Sequence, residues 1–367
     1  MLPAQSCRLR FFLHKTATLW ALGLAAGAFV ARAAPAVPAV QLGAYYFDGW
    51  SGHNKADGDP AQPWAKNAPT HLTKALAEQY ADREPLWGWR ADTSEIMRRQ
   101  IDLAADHGLA FWAFCWYFQP KPQAVADDPK HTGLRLFLAA PNNERLRFCL
   151  LVANHDSFQL TTIERWRQAA EYWLPYLRHP RAVTVGGKPL LILFNPKDAL
   201  PEGLAAVEAA ARAAGLPGVT FAGCGVNLPA PFSVTTRYNV AGGWMKGWQE
   251  FPFTQVMQNH RQAWKGTPAQ RHIPCGIVGW DRRPWETAGR GSYYYPGRTP
   301  ALFGQHVREL IAWMNAHPTE ITEERLALLY AWNEIGESGY LLPTRGDPDG
   351  AYLRELKAAL AEANRNR

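Results

Sequence analysis

Cysteine is scarce in this chain: five residues among 367, with no CxxC pair and no spacing that suits zinc. Cys115, Cys149, Cys224 and Cys275 each fall inside an apolar run, so buried, reduced thiols are the expected state. A disulfide between neighbouring strands stays allowed in an oxidising compartment, because its geometry cannot be read from spacing. Other absences exclude whole classes of function. No glycine-rich phosphate loop follows a strand-like segment, which removes the nucleotide-binding signature of a doubly wound sheet. No G-x-S-x-G elbow is present, so Ser-His-Asp hydrolysis lacks its usual support. Lysine and arginine form no cluster dense enough to make a nucleic-acid stripe.

What is present begins with a leader. Arg8, Arg10 and Lys15 precede an apolar run over residues 18–30, and Ala31-Arg32-Ala33 follows as a small-residue cleavage site. The run is short of the roughly 20 residues that a membrane span needs. The order is that of a secretory signal. It predicts a signal peptide over residues 1–33, a catalytic domain over 34–367, no membrane insertion after cleavage, and a periplasmic or secreted location; an uncleaved anchor is the competing reading. Cys7 precedes the apolar run and Leu9 separates Arg8 from Arg10, so neither lipoprotein acylation nor twin-arginine export is indicated. Taking Arg8, Arg10, Lys15 and Arg32 from 39 bases, against 32 acids, leaves a net charge of +3. Basicity carries no functional message.

Eight near-continuous apolar runs read as strands buried on both faces: residues 42–47, 109–116, 146–154, 189–195, 219–225, 238–243, 273–280 and 326–332. The sixth is the weakest, because Gly242 and Gly243 make it short. Helical segments fill most gaps. Asp92 with Glu95 makes a capping box for a helix that Gly108 ends, and Pro201 and Gly215 bracket another. Further helices fit residues 163–177, 253–264, 301–316 and 351–363. This alternation predicts an α/β protein, a single (β/α)8 TIM barrel with long βα loops, the longest over residues 48–91.

Such a barrel gathers its chemistry at the strands' C-terminal ends. The expected substrate-binding residues are therefore Tyr46, Asp48, Trp116, Asn154, His155, Asn195, Trp280, Asp281 and Asn333, together with Tyr340 near the last strand. Flat aromatic faces suit the apolar faces of sugar rings, and planar amides or carboxylates suit vicinal hydroxyls. His155 stands without a second histidine at ligand spacing, which favours substrate binding over a metal. Of sixteen Trp, Trp112, Trp173 and Trp313 are expected to pack between barrel and helices. Tyr293-Tyr294-Tyr295 has two readings, a platform near the sugar or packing.

The last strand runs into Asn333-Glu334-Ile335-Gly336-Glu337, where two carboxylates stand three residues apart. Breaking a glycosidic bond needs one carboxyl to protonate the leaving oxygen and a second to assist on the sugar side. Glu334 and Glu337 are the candidate catalytic pair. Gly336 and Gly339 permit a close-packed irregular turn there.

These residues resemble the glycoside hydrolase family 99-like proteins, including the WbsX-like polysaccharide-biosynthesis branch. The resemblance runs through Gly43-Ala44-Tyr45-Tyr46-Phe47, Phe114-Cys115-Trp116-Tyr117, Ala153-Asn154-His155-Asp156, Gly187-Lys188-Pro189, Gly279-Trp280-Asp281 and Ala331-Trp332-Asn333-Glu334. It implies a (β/α)8 barrel and retaining, metal-free cleavage of α-mannosides. Glu334 would match the carboxylate that takes the proton from the sugar's 2-hydroxyl, and Glu337 the general acid, then base. The chain departs from the family's pattern at Arg282, Ile335, Ser338 and Leu342-Pro343. The expectation is a glycan hydrolase needing no cofactor, with a glycan or polysaccharide as partner and no nucleic acid. A biosynthetic glycosyltransferase and a non-catalytic glycan-binding barrel are the rivals.

Overall fold

The computed structural model describes residues 38–365 apart from Trp244, Pro268 and residues 286–289. The leader, with its cleavage site, lies outside the described residues. Among the described residues, one curled sheet holds a short antiparallel strand, Thr184–Val185 against residues 188–189, and nine parallel strands: β1 Gln41–Tyr46, β2 Phe111–Trp116, β3 Arg147–Val152, β4 Lys188–Leu193, β5 Thr220–Cys224, β6 Val234–Thr236, β7 Arg271–His272, β8 Cys275–Ile277 and β9 Leu326–Tyr330. Their order is β8-β9-β1-β2-β3-β4-β5-β6-β7, all parallel. Only Ile273 and Pro274 separate β7 from β8. Ile273 N donates to Thr235 O at 2.9 Å and Leu328 N to Pro274 O at 3.0 Å, so this short segment meets both ends of the strand order.

Parallel neighbours need long crossovers, and helices supply them. The longer ones are α1 Ser94–Asp106, α2 Thr132–Ala139, α3 Ile163–Leu177, α4 Pro201–Ala213, α5 Phe253–Ala263, α6 Pro300–Ala316 and α7 Ala351–Arg365. Large rings fill the space between sheet and helices. Trp112, Trp166, Trp173 and Trp332 are fully buried, and the Trp332 indole donates to Gln100 Oε1 of α1 at 2.8 Å. No helix among the described residues is long and apolar enough to cross a membrane.

Three local expectations change. Thr93 rather than Asp92 caps α1, its hydroxyl accepting from Ile96 N at 3.2 Å, while Asp92 pairs with Arg90. The sixth strand is Val234–Thr236, upstream of the expected residues 238–243. Those residues cross the mouth of the sheet as a loop, where Gly242 takes a φ of +106°. Helix α2, with Gly133 in its first turn, has no counterpart in the sequence reading. There Gly133 N donates to the Asp48 carboxylate, and a Cβ on Gly133 would lie 2.7 Å from the Tyr46 ring.

Candidate active site

Successive side chains on a strand point to opposite faces, and this alternation decides which strand-end residues meet. A cavity of about 480 Å³ opens at the C-terminal ends of the strands; its lining includes Phe47, Cys115, Tyr117, His155, Phe194, Tyr238, Trp280, Arg282, Trp285, Glu334 and Glu337. Of the twelve expected residues, His155, Trp280, Glu334 and Glu337 line it.

The other eight lie outside the lining, most of them one position out of step with it. Tyr46 packs against Trp112 and Phe114. Asp48, buried beside it, accepts from Ser51 Oγ at 3.1 Å, and burial pushes its carboxyl up to about 7. Trp116 is stacked on His131 with ring centroids 5.3 Å apart, and meets Trp173 of α3 edge-on. Asn154 ties two strand ends together: its amide donates to Asn195 O at 2.7 Å and its carbonyl accepts from Asn195 N at 2.8 Å. Asn195 is thereby spent on the same link. Asn333 does likewise for β1, exchanging two 2.7 Å hydrogen bonds with the backbone of Phe47. Asp281 is held by Arg83 at 2.6 Å and Arg283 at 2.8 Å. Tyr340 lies under the Arg298 guanidinium, 4.0 Å from the ring centroid.

These displaced residues build the frame for the two glutamates. Asn333 and Glu334 pair antiparallel with Tyr340 and Gly339, and a tight turn over Ile335–Glu337 joins the two arms. Ser338 closes it with a left-handed φ of 64°. The glycines are needed for close approach: a Cβ on Gly336 would lie 2.5 Å from Trp285, and one on Gly339 would lie 2.5 Å from Tyr330. Arg83 reaches the carbonyls of Asp281 and Ile335 at 3.1 and 3.4 Å. Arg298 donates to Ser338 O at 2.9 Å, and Asp281 N donates to Glu337 O at 2.8 Å.

The two carboxylates have unlike neighbours. Glu334 is 5 % exposed and accepts from the Tyr238 hydroxyl. Burial first, and the facing Glu337 second, push its carboxyl well above the usual range, against the opposing influence of Tyr238 and Arg282. Glu337 accepts from the Tyr330 hydroxyl and lies 3.4 Å from Arg282 Nε. The Arg282 guanidinium is 5.3 Å from the centre of the Trp280 ring. Tyr238 is held in turn by Tyr45, Phe194 and Tyr330, with ring centroids 4.7, 5.3 and 4.9 Å away. The lining also carries His155, whose Nδ1 is 2.9 Å from Asp156.

Tyr238 and Arg282 are the main residues absent from the sequence reading. In the sequence Tyr238 stands at the start of the expected sixth strand, and Arg282 stands out only as a departure from the family's pattern. The available signal was alternation: with Trp280 and Glu334 facing inward, the residue two beyond Trp280 faces inward as well. Among the described residues, no three His, Cys, Asp or Glu side chains converge as a metal site requires. The cysteines among them are free.

Curled parallel sheet, outer helices and a cavity at the C-terminal strand ends define an α/β protein of barrel-like fold. A solved GH99 endo-alpha-mannosidase from Bacteroides thetaiotaomicron aligns with a TM-score of 0.61 at 15 % identity, covering 89 % of this chain and 98 % of that one. A structure described as a glycoside hydrolase-like protein gives 0.58 at 13 % identity, covering 88 % and 94 %. At such identities the likeness is one of fold. A family model, Glycosyltransferase WbsX, matches residues 231–356, a span that includes Tyr238, Trp280, Arg282 and both glutamates. The search of curated proteins gave no match. The chain is thus WbsX-like in sequence over its C-terminal part and family 99-like in fold over most of its length, the resemblance that its strand-end motifs carry.

Proposed function

We propose that this protein is a glycan-cleaving hydrolase with Glu334 and Glu337 as its acid/base pair. The observation that carries the reading is that two carboxylates with unlike neighbours face one aromatic-walled cavity. Glu334, dry and facing another acid, is disposed to hold a proton, whereas Glu337 sits beside a guanidinium. One proton shared by two coupled acids supplies what glycosidic cleavage needs, a donor for the leaving oxygen and a base for the sugar side. The resemblance assigns the base role to Glu334 and the acid role to Glu337, which requires the proton to pass from Glu334 to Glu337 before cleavage begins. Trp280, Trp285, Phe47 and Tyr117 offer ring faces to the sugar, and His155 offers a polar contact.

The curled sheet is read as a (β/α)8 barrel in which β7 and β8 are halves of one seventh strand. The hydrogen bonds from that segment to β6 and β9 support this. A family 99-like fold supports α-mannosides as the first substrates to try. The leader's composition supports export and removal of residues 1–33, which mass spectrometry of the exported protein tests directly.

The decisive experiment is hydrolysis of an α-mannan and bacterial polysaccharide panel by the mature protein and by Glu334→Gln and Glu337→Gln. Each variant is expected to lose about 10²- to 10⁴-fold in rate, the usual size of a general acid or base contribution. Full activity in either variant, or binding without cleavage in the parent, overturns the reading. The matched family model is described as a glycosyltransferase; products longer than the substrate, in place of shorter ones, would favour transfer to a sugar acceptor.

A further inference from the structure

A second aromatic surface adjoins the cavity and has no part in the chemistry above. Gln249–Glu250 and Tyr293–Tyr294 pair in parallel as a short ribbon, extended by Gln249 N donating to Ser292 O at 3.1 Å and Phe251 N to Tyr294 O at 3.0 Å. Trp248 is 37 % and Phe251 38 % exposed, two of the few large apolar side chains so open to water. Phe251 meets the Tyr293 ring edge-on, with centroids 5.4 Å apart. The neighbouring Tyr294 is clamped between two charges: Arg283 lies 3.9 Å over its ring, and its hydroxyl donates to Glu250 at 2.6 Å. Arg283 is anchored by Asp281. Tyr294 is therefore held in place by polar contacts and Phe251 by the Tyr293 ring, while Trp248 and Phe251 keep part of their surface in solvent.

The ribbon is continuous with the cavity wall. Gly242 lines the cavity, and a Cβ there would lie 2.4 Å from the Tyr293 ring. Tyr295 N donates to the carbonyl of Trp280, another lining residue, at 2.9 Å. A cavity of about 480 Å³ is of the size that encloses a small ligand, roughly 300–1,000 Å³, so a longer chain must run out over the rim. Exposed aromatic rings beside planar polar groups (Gln249, Glu250, Arg283) suit a sugar ring, apolar on its faces and hydroxylated at its edge.

We infer that Trp248, Phe251 and Tyr293 form a remote sugar-binding subsite, which takes a unit of the same glycan beyond those seated against Glu334 and Glu337. The inference rests on the glycan-cleaving reading and deepens it: the substrate is a chain rather than a disaccharide, and the enzyme measures its length. The test compares the longest and the shortest oligosaccharides that the parent cleaves. Trp248→Ala/Phe251→Ala is expected to lower kcat/KM about tenfold on the long one and to leave the short one unchanged. Trp248→Tyr/Phe251→Tyr, which keeps ring faces, is expected to recover most of the loss and guards against a folding defect. Equal loss on both lengths, or none on either, overturns the subsite alone. A parent that cleaves no glycan overturns the underlying reading, and the subsite with it, before any substitution is made.

Discussion

At the scale of single residues, the unlike surroundings of the two glutamates are what make them chemically distinct. The Tyr238 hydroxyl and the Arg282 charge both lower the Glu334 carboxyl against the larger effect of burial. Removing either raises it further, so Tyr238→Phe and Arg282→Met are each expected to move the pH–rate profile to higher pH. The apparent values belong to the pair, so the shift is read on the whole profile. An unmoved profile would show that neither group acts on the pair. Asp48 offers a test on stability. Burial raises its folded value from 3.8 to about 7, so between those values the folded state holds a proton that the unfolded chain releases. Stability therefore falls as pH rises through that window. Asp48→Asn, which keeps an acceptor for Gly133 N, is expected to be more stable than the parent at pH 8, with the difference closing towards pH 4. Urea midpoints at the two pH values check this.

At the scale of elements, the turn that bears Glu337 is set by its neighbours rather than by its own propensities. A Cβ on Gly279 would lie 2.3 Å from the Ser338 carbonyl, a backbone atom that cannot rotate away. Gly279→Ala is expected to push the Glu337 turn out of place. A displacement near 1 Å costs roughly 10²-fold in rate, so activity should fall much more than the thermal midpoint does. Asn333→Ala tests the link to β1. It orphans two buried backbone groups of Phe47, each worth about 1–3 kcal/mol, and should lower stability measurably in urea. Elements are legible in the sequence where a helical pattern runs long, as in α3 and α4. Two are not: β6, whose three residues Val234–Thr236 are too few to stand out, and α2, whose Gly133 meets Tyr46 and Asp48 from far away in the chain.

At the scale of the molecule, His260, His272 and His306 are enclosed among the helices and strands. Burial lowers His260 to about 4 and His272 to about 3, and holds His306 well below its usual value. Each is neutral when folded, while the unfolded chain takes up a proton as pH falls through 6.5. Stability is full above that pH and is lost below it, by about 2 kcal/mol at pH 5 for a group lowered as far as His260. Urea denaturation at pH 7, 6 and 5 should show a steep decline, and His306→Leu should flatten it.

Composition and periodicity alone determined that strands and helices alternate, that most strands lie where their apolar runs do, and that the last strand ends in two acids beside a permissive turn. These are local properties, carried by runs of neighbours. Tertiary structure decided which side of each strand faces the cavity. A strand end offers two adjacent residues, one for each face, and nothing in a fully apolar strand such as Phe111–Trp116 marks which is which. That choice made Trp116, Asn154, Asn195, Asp281 and Asn333 into framework and brought Tyr238 and Arg282 to the glutamates, because only the curl of the sheet gives a strand an inside.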